Sequence, residues 1–284
     1  MRLGTLLADA AKRLTDAGVE SPRVDAELLL ASVLGVSRGR LLTLIEVPDD
    51  VSVRFATLLD QRADRVPLQH LTGRAPFRFL ELAVGPGVFV PRPETEQLAG
   101  WAVERLAGSV APSVVDLGSG SGALALSIAH EVPAARVTAV ERDPGAIEWT
   151  RHNAAARAAA GDPPVEVLAG DMTDAGLLRD LDGTVDLVVS NPPYVPDDAR
   201  VPREVAEHDP PLALWGGPDG LDVVRGLLVT AARLLRPGGW LGIEHADQQG
   251  SALPALVRAH GAFTDVEDHP DLAGRPRFTT ARRR

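Results

Sequence analysis

Asn191-Pro192-Pro193-Tyr194 places a side-chain amide, a proline carbonyl and an aromatic face within four positions. Such a set can recognise a planar nitrogen, and a planar nitrogen is an atom on which a methyl group can be placed. Neither proline has an N–H to donate, so a strand running into the motif must stop there. The competing reading is an Asn-capped turn that the prolines make rigid.

A second constellation lies upstream. In Asp116-Leu117-Gly118-Ser119-Gly120-Ser121-Gly122 the alternate glycines permit positive φ and close approach of a ligand to the backbone. The N–H groups of a following helix can meet an anionic group such as a carboxylate. The spacing is G-x-G-x-G rather than the G-x-G-x-x-G of dinucleotide enzymes. Glu141 follows about twenty positions on, where an acidic side chain accepts hydrogen bonds from ribose hydroxyls. Asp171 and Met172 follow a further apolar run. Asp171 either meets an adenine amino group, with Met172 against the ring, or caps a helix that reaches Leu177. By itself the glycine loop is also readable as a tight strand-to-helix turn.

These residues need elements to hold them. Asp186-Leu187-Val188-Val189-Ser190 reads as a buried parallel strand that delivers Asn191 to its carboxyl end. Apolar runs at 114–117, 136–141, 165–168, 240–244, 263–267 and 277–281 read as further strands. Helical stretches at 124–130, 146–160 and 223–235 separate several of them, and Pro237-Gly238-Gly239 reads as a turn. The alternation predicts an α/β fold, a doubly wound, mostly parallel sheet whose ligands sit at the strands' carboxyl ends.

Residues 1–74 read instead as a helical bundle. Leu3, Leu6, Leu7, Ala10, Ala11 and Leu14 recur at helical spacing, and Gly18 stops that helix. Ser21-Pro22 opens the next, and a third covers 52–64. Residues 75–93 read as a β-hairpin and linker turning around Gly85-Pro86-Gly87, and 94–284 as the catalytic domain. Glu94, after Pro91-Arg92-Pro93, either lines the site or caps the helix that begins there. Asp219-Gly220 reads as a turn, and Trp215 as either exposed or buried beneath it.

Composition narrows the chemistry. With 284 residues, 45% of them hydrophobic, the chain can bury a sizeable core. The net charge of −10 weighs against a nucleic-acid substrate, which calls for a basic surface. Cysteine is absent, so no disulfide, thiolate nucleophile or cysteine zinc site is expected, and the seven scattered histidines suggest no metal. No apolar stretch reaches membrane-span length, and the expectation is a soluble cytoplasmic protein.

Taken together, Asp116–Gly122, Glu141 and Asn191–Tyr194 resemble the class I S-adenosylmethionine-dependent methyltransferases. More narrowly the chain resembles the HemK/PrmC family, which methylates the glutamine of the Gly-Gly-Gln motif in peptide-chain release factors. The supporting segments are Val90–Glu96, Asp209–Leu214, Gly216–Leu221 and Asp271–Arg275, and the helical N-terminus, so the likeness covers nearly the whole chain. It departs from the family pattern at Glu141, where Asp is more frequent, at Met172, where an aromatic is common, and at Ala246.

The resemblance implies a seven-stranded Rossmann-like sheet, with S-adenosyl-L-methionine as cofactor and S-adenosyl-L-homocysteine as product. Asp116, Gly118, Ser119, Gly120, Ser121, Gly122, Glu141, Asp171, Met172 and Asn191 would bind the cofactor. Asn191, Pro192, Pro193, Tyr194 and Glu94 would bind substrate, with Asn191 and Pro192 catalytic. The Asn191 oxygen and the Pro192 carbonyl each accept one hydrogen of the substrate amide, Tyr194 packs against its plane, and no general base is assigned. The partner is a release factor, docked on the N-terminal bundle, with no direct nucleic-acid or membrane contact. The alternatives are a glutamine methyltransferase for a ribosomal protein, an adenine amino-methyltransferase, and a cofactor-binding module without catalysis.

Overall fold

The computed structural model describes residues 2–284. Helices α1 (Leu3–Asp16), α2 (Pro22–Leu34), α3 (Arg38–Leu41), α4 (Asp49–Ala63) and α5 (Leu68–Thr72) come first. A two-stranded sheet of β1 (Arg74–Phe77) and β2 (Leu80–Ala83) precedes α6 (Thr95–Leu106). The chain continues through β3 (Ser113–Leu117), α7 (Ala123–Glu131), β4 (Arg136–Glu141), α8 (Pro144–Ala159), β5 (Glu166–Ala169) and β6 (Val185–Ser190). It ends with α9 (Arg203–His208), α10 (Pro211–Leu214), α11 (Asp222–Leu234), β7 (Leu235–Glu244), α12 (Ala252–Ala259), β8 (Phe263–Pro270) and β9 (Pro276–Arg283).

Two compact units emerge. One holds the chain up to Arg74, together with Val84–Pro86 and Val201–His208. Its core forms because α1, α2 and α4 each turn an apolar stripe inward: Leu7 and Leu14, Leu29 and Leu30, and Phe55 are all buried. Gly35 ends α2 in the left-handed conformation (φ 65°) that a residue without Cβ adopts freely. Within this unit the buried Arg62 guanidinium pairs with Asp25 (2.8 Å) and with Glu204 of α9 (2.8 Å).

The other unit is the seven-stranded sheet, in the order β5-β4-β3-β6-β7-β9-β8. Strands β5, β4, β3, β6 and β7 run parallel, whereas β9 is antiparallel to both β7 and β8. Val114, Leu187 and Val189 pack toward α6 and α7 on one face; Val115, Val188 and Leu241 pack toward α11 and α12 on the other. Apolar helices therefore cover both faces, which is why these strands read as near-continuous hydrophobic runs. After β5 the chain returns to the opposite side of β3, so the strand order reverses between β3 and β6. At such a reversal the following loops diverge and leave a crevice.

Two local expectations need correcting. The hairpin turns at Arg78-Phe79, not around Gly85-Pro86-Gly87. Alternating burial of Ala75 and Phe77, then Leu80 and Leu82, sets its register, and the glycine-proline segment follows it. Pro237-Gly238-Gly239 is part of β7, not a turn ahead of it; the irregularity is absorbed as a register shift opposite Val185 and Leu187. Among the described residues no helix is long and apolar enough to cross a membrane.

Candidate active site

The carboxyl ends of β5, β4, β3 and β6 are neighbours in the sheet, and they carry Asp171, Glu141, the glycine loop and Asn191 respectively. Sheet pairing thus brings together residues as far apart in sequence as Asp116 and Asn191: Asp116 stands opposite Val189 in the β3–β6 register.

The glycine loop is organised by backbone bonds. Gly118, Gly120 and Gly122 all have positive φ (81°, 56° and 87°), which glycine adopts without steric cost. The Gly118 and Ser119 N–H groups donate to the Val140 carbonyl at 2.8 and 3.0 Å, and the Gly122 N–H to the Ser119 carbonyl at 2.8 Å. Gly120 N–H donates to Glu141 Oε2 at 2.9 Å. Behind the loop, Ser119 lies against the Thr150 hydroxyl (3.4 Å), and the Ser121 carbonyl accepts from the Asn153 side chain (2.9 Å).

Asp116 is fully buried below the loop. Its Oδ2 accepts the Ala125 N–H at 3.1 Å, anchoring the first turn of α7, and its Oδ1 is buried without a hydrogen-bond partner. Burial pushes the carboxyl up to about 7. Glu141 is nearly as buried, and besides Gly120 it accepts the N–H groups of Arg142 (2.8 Å) and Asp143 (2.9 Å). Three backbone donors occupy most of a carboxylate's roughly four acceptor sites. Glu141 therefore shapes the loop as well as facing the crevice.

Asp171 caps no helix, because none begins at Leu177. Its Oδ1 closes a turn on the Thr173 N–H (2.8 Å) and hydroxyl (2.7 Å), and its Oδ2 meets Arg142 at 3.3 Å. Burial raises its pKa, but these donors prevail and hold it below the usual carboxylate range. Met172 packs with Val115, Leu117 and Val140 at the edge of the core. Its Cε approaches Gly118 so closely that a Cβ there would sit 2.6 Å from it. The thioether thus lies over the glycine turn.

Just past β6, the Asn191 side-chain nitrogen donates to Thr95 Oγ1 at 3.3 Å, which leaves Oδ1 as the acceptor that can face a ligand. Pro192 and Pro193 are buried and Tyr194 is partly so. The Tyr194 hydroxyl donates to Glu244 Oε1 at 3.4 Å. Burial and the Glu244 charge hold the phenol above its usual pKa. Glu94 does not cap α6 through its side chain; it is exposed and close enough to Glu244 to raise that carboxyl's pKa.

Thr95, Glu244 and the 209–221 segment also belong to the site; Thr95 and most of 209–221 lie in segments that carry the family resemblance, but the sequence alone assigns none of them a role here. Val195 pairs with Trp215, with Val195 N–H on the Leu214 carbonyl (2.8 Å) and Gly216 N–H on the Val195 carbonyl (2.9 Å). Gln249 donates to both the Tyr194 carbonyl (3.0 Å) and the Asp219 carbonyl (3.1 Å). Asp219-Gly220 is a turn, as expected, but one whose backbone is fastened to the motif. Trp215 is half-buried on this bridge. Glu244 did leave one trace in the sequence, an acidic residue ending the apolar run Leu241–Ile243.

The donor set fits S-adenosylmethionine. A buried carboxyl oxygen without a partner lies below the loop, the loop glycines leave room for close backbone approach, and Glu141 and Asp171 stand at adjacent strand ends. Comparison with known proteins is consistent with that fit. Residues 5–73 match the PrmC N-terminal domain, and residues 85–269 match the methyltransferase small domain. A release factor glutamine methyltransferase of Streptomyces coelicolor is 52% identical over 98% of this chain and 96% of its own length. One from Mycolicibacterium smegmatis is 51% identical over 99% and 98%. Among solved structures, a T. thermophilus 16S rRNA N2 methyltransferase in complex with AdoMet and guanosine shares the fold. Its TM-score is 0.53 at 24% identity, over 74% of this chain and 50% of that one.

Proposed function

The chain belongs to the family of release factor glutamine methyltransferases, and we propose that it methylates the side-chain amide nitrogen of the glutamine in a release factor's Gly-Gly-Gln motif. The observation that carries this reading is the setting of Asn191. It sits at the carboxyl end of β6 beside the glycine loop, with its nitrogen engaged by Thr95 and its oxygen left to accept.

An amide nitrogen is a poor nucleophile because its lone pair is delocalised into the carbonyl, the delocalisation that gives a peptide bond its rotational barrier of roughly 18–20 kcal/mol. Bound S-adenosylmethionine supplies an electrophilic methyl group on a sulfonium. The chain's own residues must then orient the amide and favour charge on its nitrogen. Asn191 Oδ1 accepts one substrate N–H and the Pro192 carbonyl accepts the other. Both acceptors bind more strongly as positive charge develops on the nitrogen, which is electrostatic preorganisation, and one of the two N–H bonds they hold is the one that gives up its proton once the nitrogen carries the methyl group. They also fix the nitrogen's line of approach; positioning of this kind is worth roughly 7–11 kcal/mol when fully realised. Tyr194 packs against the amide plane, and the two prolines keep the acceptors from drifting. Gly118–Gly122, Glu141, Asp171 and Met172 would hold the cofactor.

The test is incubation of the purified protein with a release factor and methyl-labelled cofactor, followed by mapping of the labelled peptide. The label is expected on the single glutamine of Gly-Gly-Gln. Asn191→Ala removes one of many expected cofactor contacts, so it should retain most cofactor affinity while turnover falls about 10²–10³-fold. A wild-type protein that leaves this glutamine unlabelled would sink the reading.

A further inference from the structure

The two prolines of the motif have few means of staying in place by themselves. Proline fixes φ at about −65° but leaves ψ free, and it has no N–H to bond. At Pro192 and Pro193 the backbone therefore offers only carbonyls. Strand pairing ends at Ser190, opposite Ile243 of β7, so the Pro192 carbonyl is aimed from anchors on the far side of the prolines. Two of these are backbone bonds to the 214–216 segment, through the Val195 N–H (2.8 Å) and the Val195 carbonyl (2.9 Å). Another comes from a side chain: Gln249 Nε2 donates to the Tyr194 carbonyl at 3.0 Å.

The surroundings of Gln249 leave its amide one orientation. It closes a short 3₁₀ turn, Asp247–Gln249, after β7 and is 6% exposed. Its Oε1 accepts the Ala246 N–H at 3.0 Å, and its Nε2 donates to the Asp219 carbonyl at 3.1 Å as well as to Tyr194. A backbone N–H can only donate and a carbonyl can only accept. Turning the amide over would set its oxygen against two carbonyls. The turn that carries it is held in the same way. The Ala246 carbonyl accepts the Gln249 N–H at 2.9 Å and meets Nδ1 of the fully buried His245 at 2.8 Å. Gly220 leaves the space these bonds need, since a Cβ there would stand 2.2 Å from the Tyr194 oxygen and 2.6 Å from Gln249 Nε2.

We propose that Gln249 is a positioning residue for methyl transfer. Its amide ties the Tyr194 carbonyl to the Asp219-Gly220 turn and so fixes where the Pro192 carbonyl points. This assignment rests on the reading of Asn191 and Pro192 as the acceptors of the substrate amide. Without the two donated bonds, ψ at Pro192 and Pro193 is free to drift. A misplacement of about 1 Å at the reacting atoms costs on the order of 10²-fold in rate. The glycine loop, Glu141 and Asp171 stand at other strand ends, so cofactor binding should not change.

Tyr194 is the chain's one tyrosine. Protein grown with tyrosine carrying carbon-13 at its carbonyl therefore shows the Tyr194 carbonyl as a single resonance, and loss of a hydrogen bond moves a carbonyl resonance upfield. The test compares wild type, Gln249→Glu, Gln249→Met and Asn191→Ala at about pH 8, well above the ordinary glutamate pKa. Gln249→Glu keeps the side chain's length and an oxygen for the Ala246 N–H but loses both donated bonds. Gln249→Met fills the same space and makes none of the three. Both should move the Tyr194 resonance upfield and lower kcat for methyl transfer to a release factor about 10²-fold. Cofactor affinity by calorimetry and the KM for release factor should stay close to wild type. A wild-type kcat with a shifted resonance overturns the proposal, and so does an unmoved resonance. A parallel loss of kcat and cofactor affinity overturns it too, because it marks a general loosening of the fold. If Gln249→Met is impaired and Gln249→Glu is not, the bond to Ala246 is what matters and the positioning of the motif falls. If one of the two variants does not fold, the other decides by the same criteria. If Asn191→Ala turns over at the wild-type rate, the acceptor reading falls and this assignment falls with it. If Asn191→Ala is inactive while both Gln249 variants are unimpaired, only the positioning role falls.

Discussion

At the residue scale, this site places carboxyl groups where water cannot reach them. Asp116 and Glu244 are both buried, each has one oxygen without a partner, and burial pushes each up to about 7. Such a group favours its protonated form in the folded state. Its stabilising contribution is fully present below the ordinary carboxyl pKa near 4 and is lost as pH rises through about 7. Asp116→Asn keeps an oxygen for the Ala125 N–H and cannot ionise. The variant should gain stability relative to wild type as pH rises from about 5 to 8, by at most roughly 3 kcal/mol. Thermal midpoints of both proteins across this range check the sign, and a pH-independent difference would contradict it. Glu244 adds a slope of the same sign to both proteins and cancels in the comparison.

At the scale of elements, the chain after the motif is pinned as firmly as the motif's own strand. The 214–220 backbone lies against Pro193-Tyr194-Val195, and the glycines at 216 and 220 permit that approach. A Cβ on residue 216 would come within 2.7 Å of the Pro193 carbonyl oxygen. That neighbour is backbone, so no side-chain rotation relieves the clash. Gly216→Ala should cost about 1–3 kcal/mol in stability. It should also lower kcat while cofactor affinity, set on the other side of the crevice by β3 and β4, holds. Calorimetric cofactor binding alongside turnover separates the two, and a joint loss of affinity and rate would argue against this division. The glycine loop and the Asn-Pro-Pro-Tyr stop were legible in sequence because each is a local backbone device. The clamp was not, because Asp219-Gly220 looks like any turn until its partner is known.

At the scale of the whole molecule, the unit built on the N-terminal helices also recruits Val201–His208 from the far side of the motif. Arg62 joins α4, α2 and α9 through Asp25 and Glu204, and Arg65 adds a second contact to Glu204 (3.3 Å). Deleting the first 74 residues would therefore strip partners from α9 as well. A point variant tests the proposed docking role of this unit more cleanly. Arg62→Ala leaves Asp25 buried without its guanidinium, a loss of about 3–5 kcal/mol for a pair of this kind. If the unit docks the protein substrate, the KM for release factor should rise well above that for cofactor. Equal shifts in both would remove the docking role.

Two signals in the chain are local. Side-chain period separates the 3.6-residue stripes of α1 and α2 from the buried runs of β3, β4 and β6, and proline and glycine punctuate them. Those signals were enough for an α/β sheet behind a helical bundle, and they put Asn191, Glu141 and the glycine loop at strand ends. Strand order is another matter, since it depends on which distant segments pair. Only tertiary structure seats β7 beside β6, so that Glu244 lies 50 positions from the Tyr194 hydroxyl it accepts. It also brings the Thr95 hydroxyl to Asn191 across 96 positions. An amide's orientation is a matter of which atoms stand behind it, and no local pattern in a sequence records that.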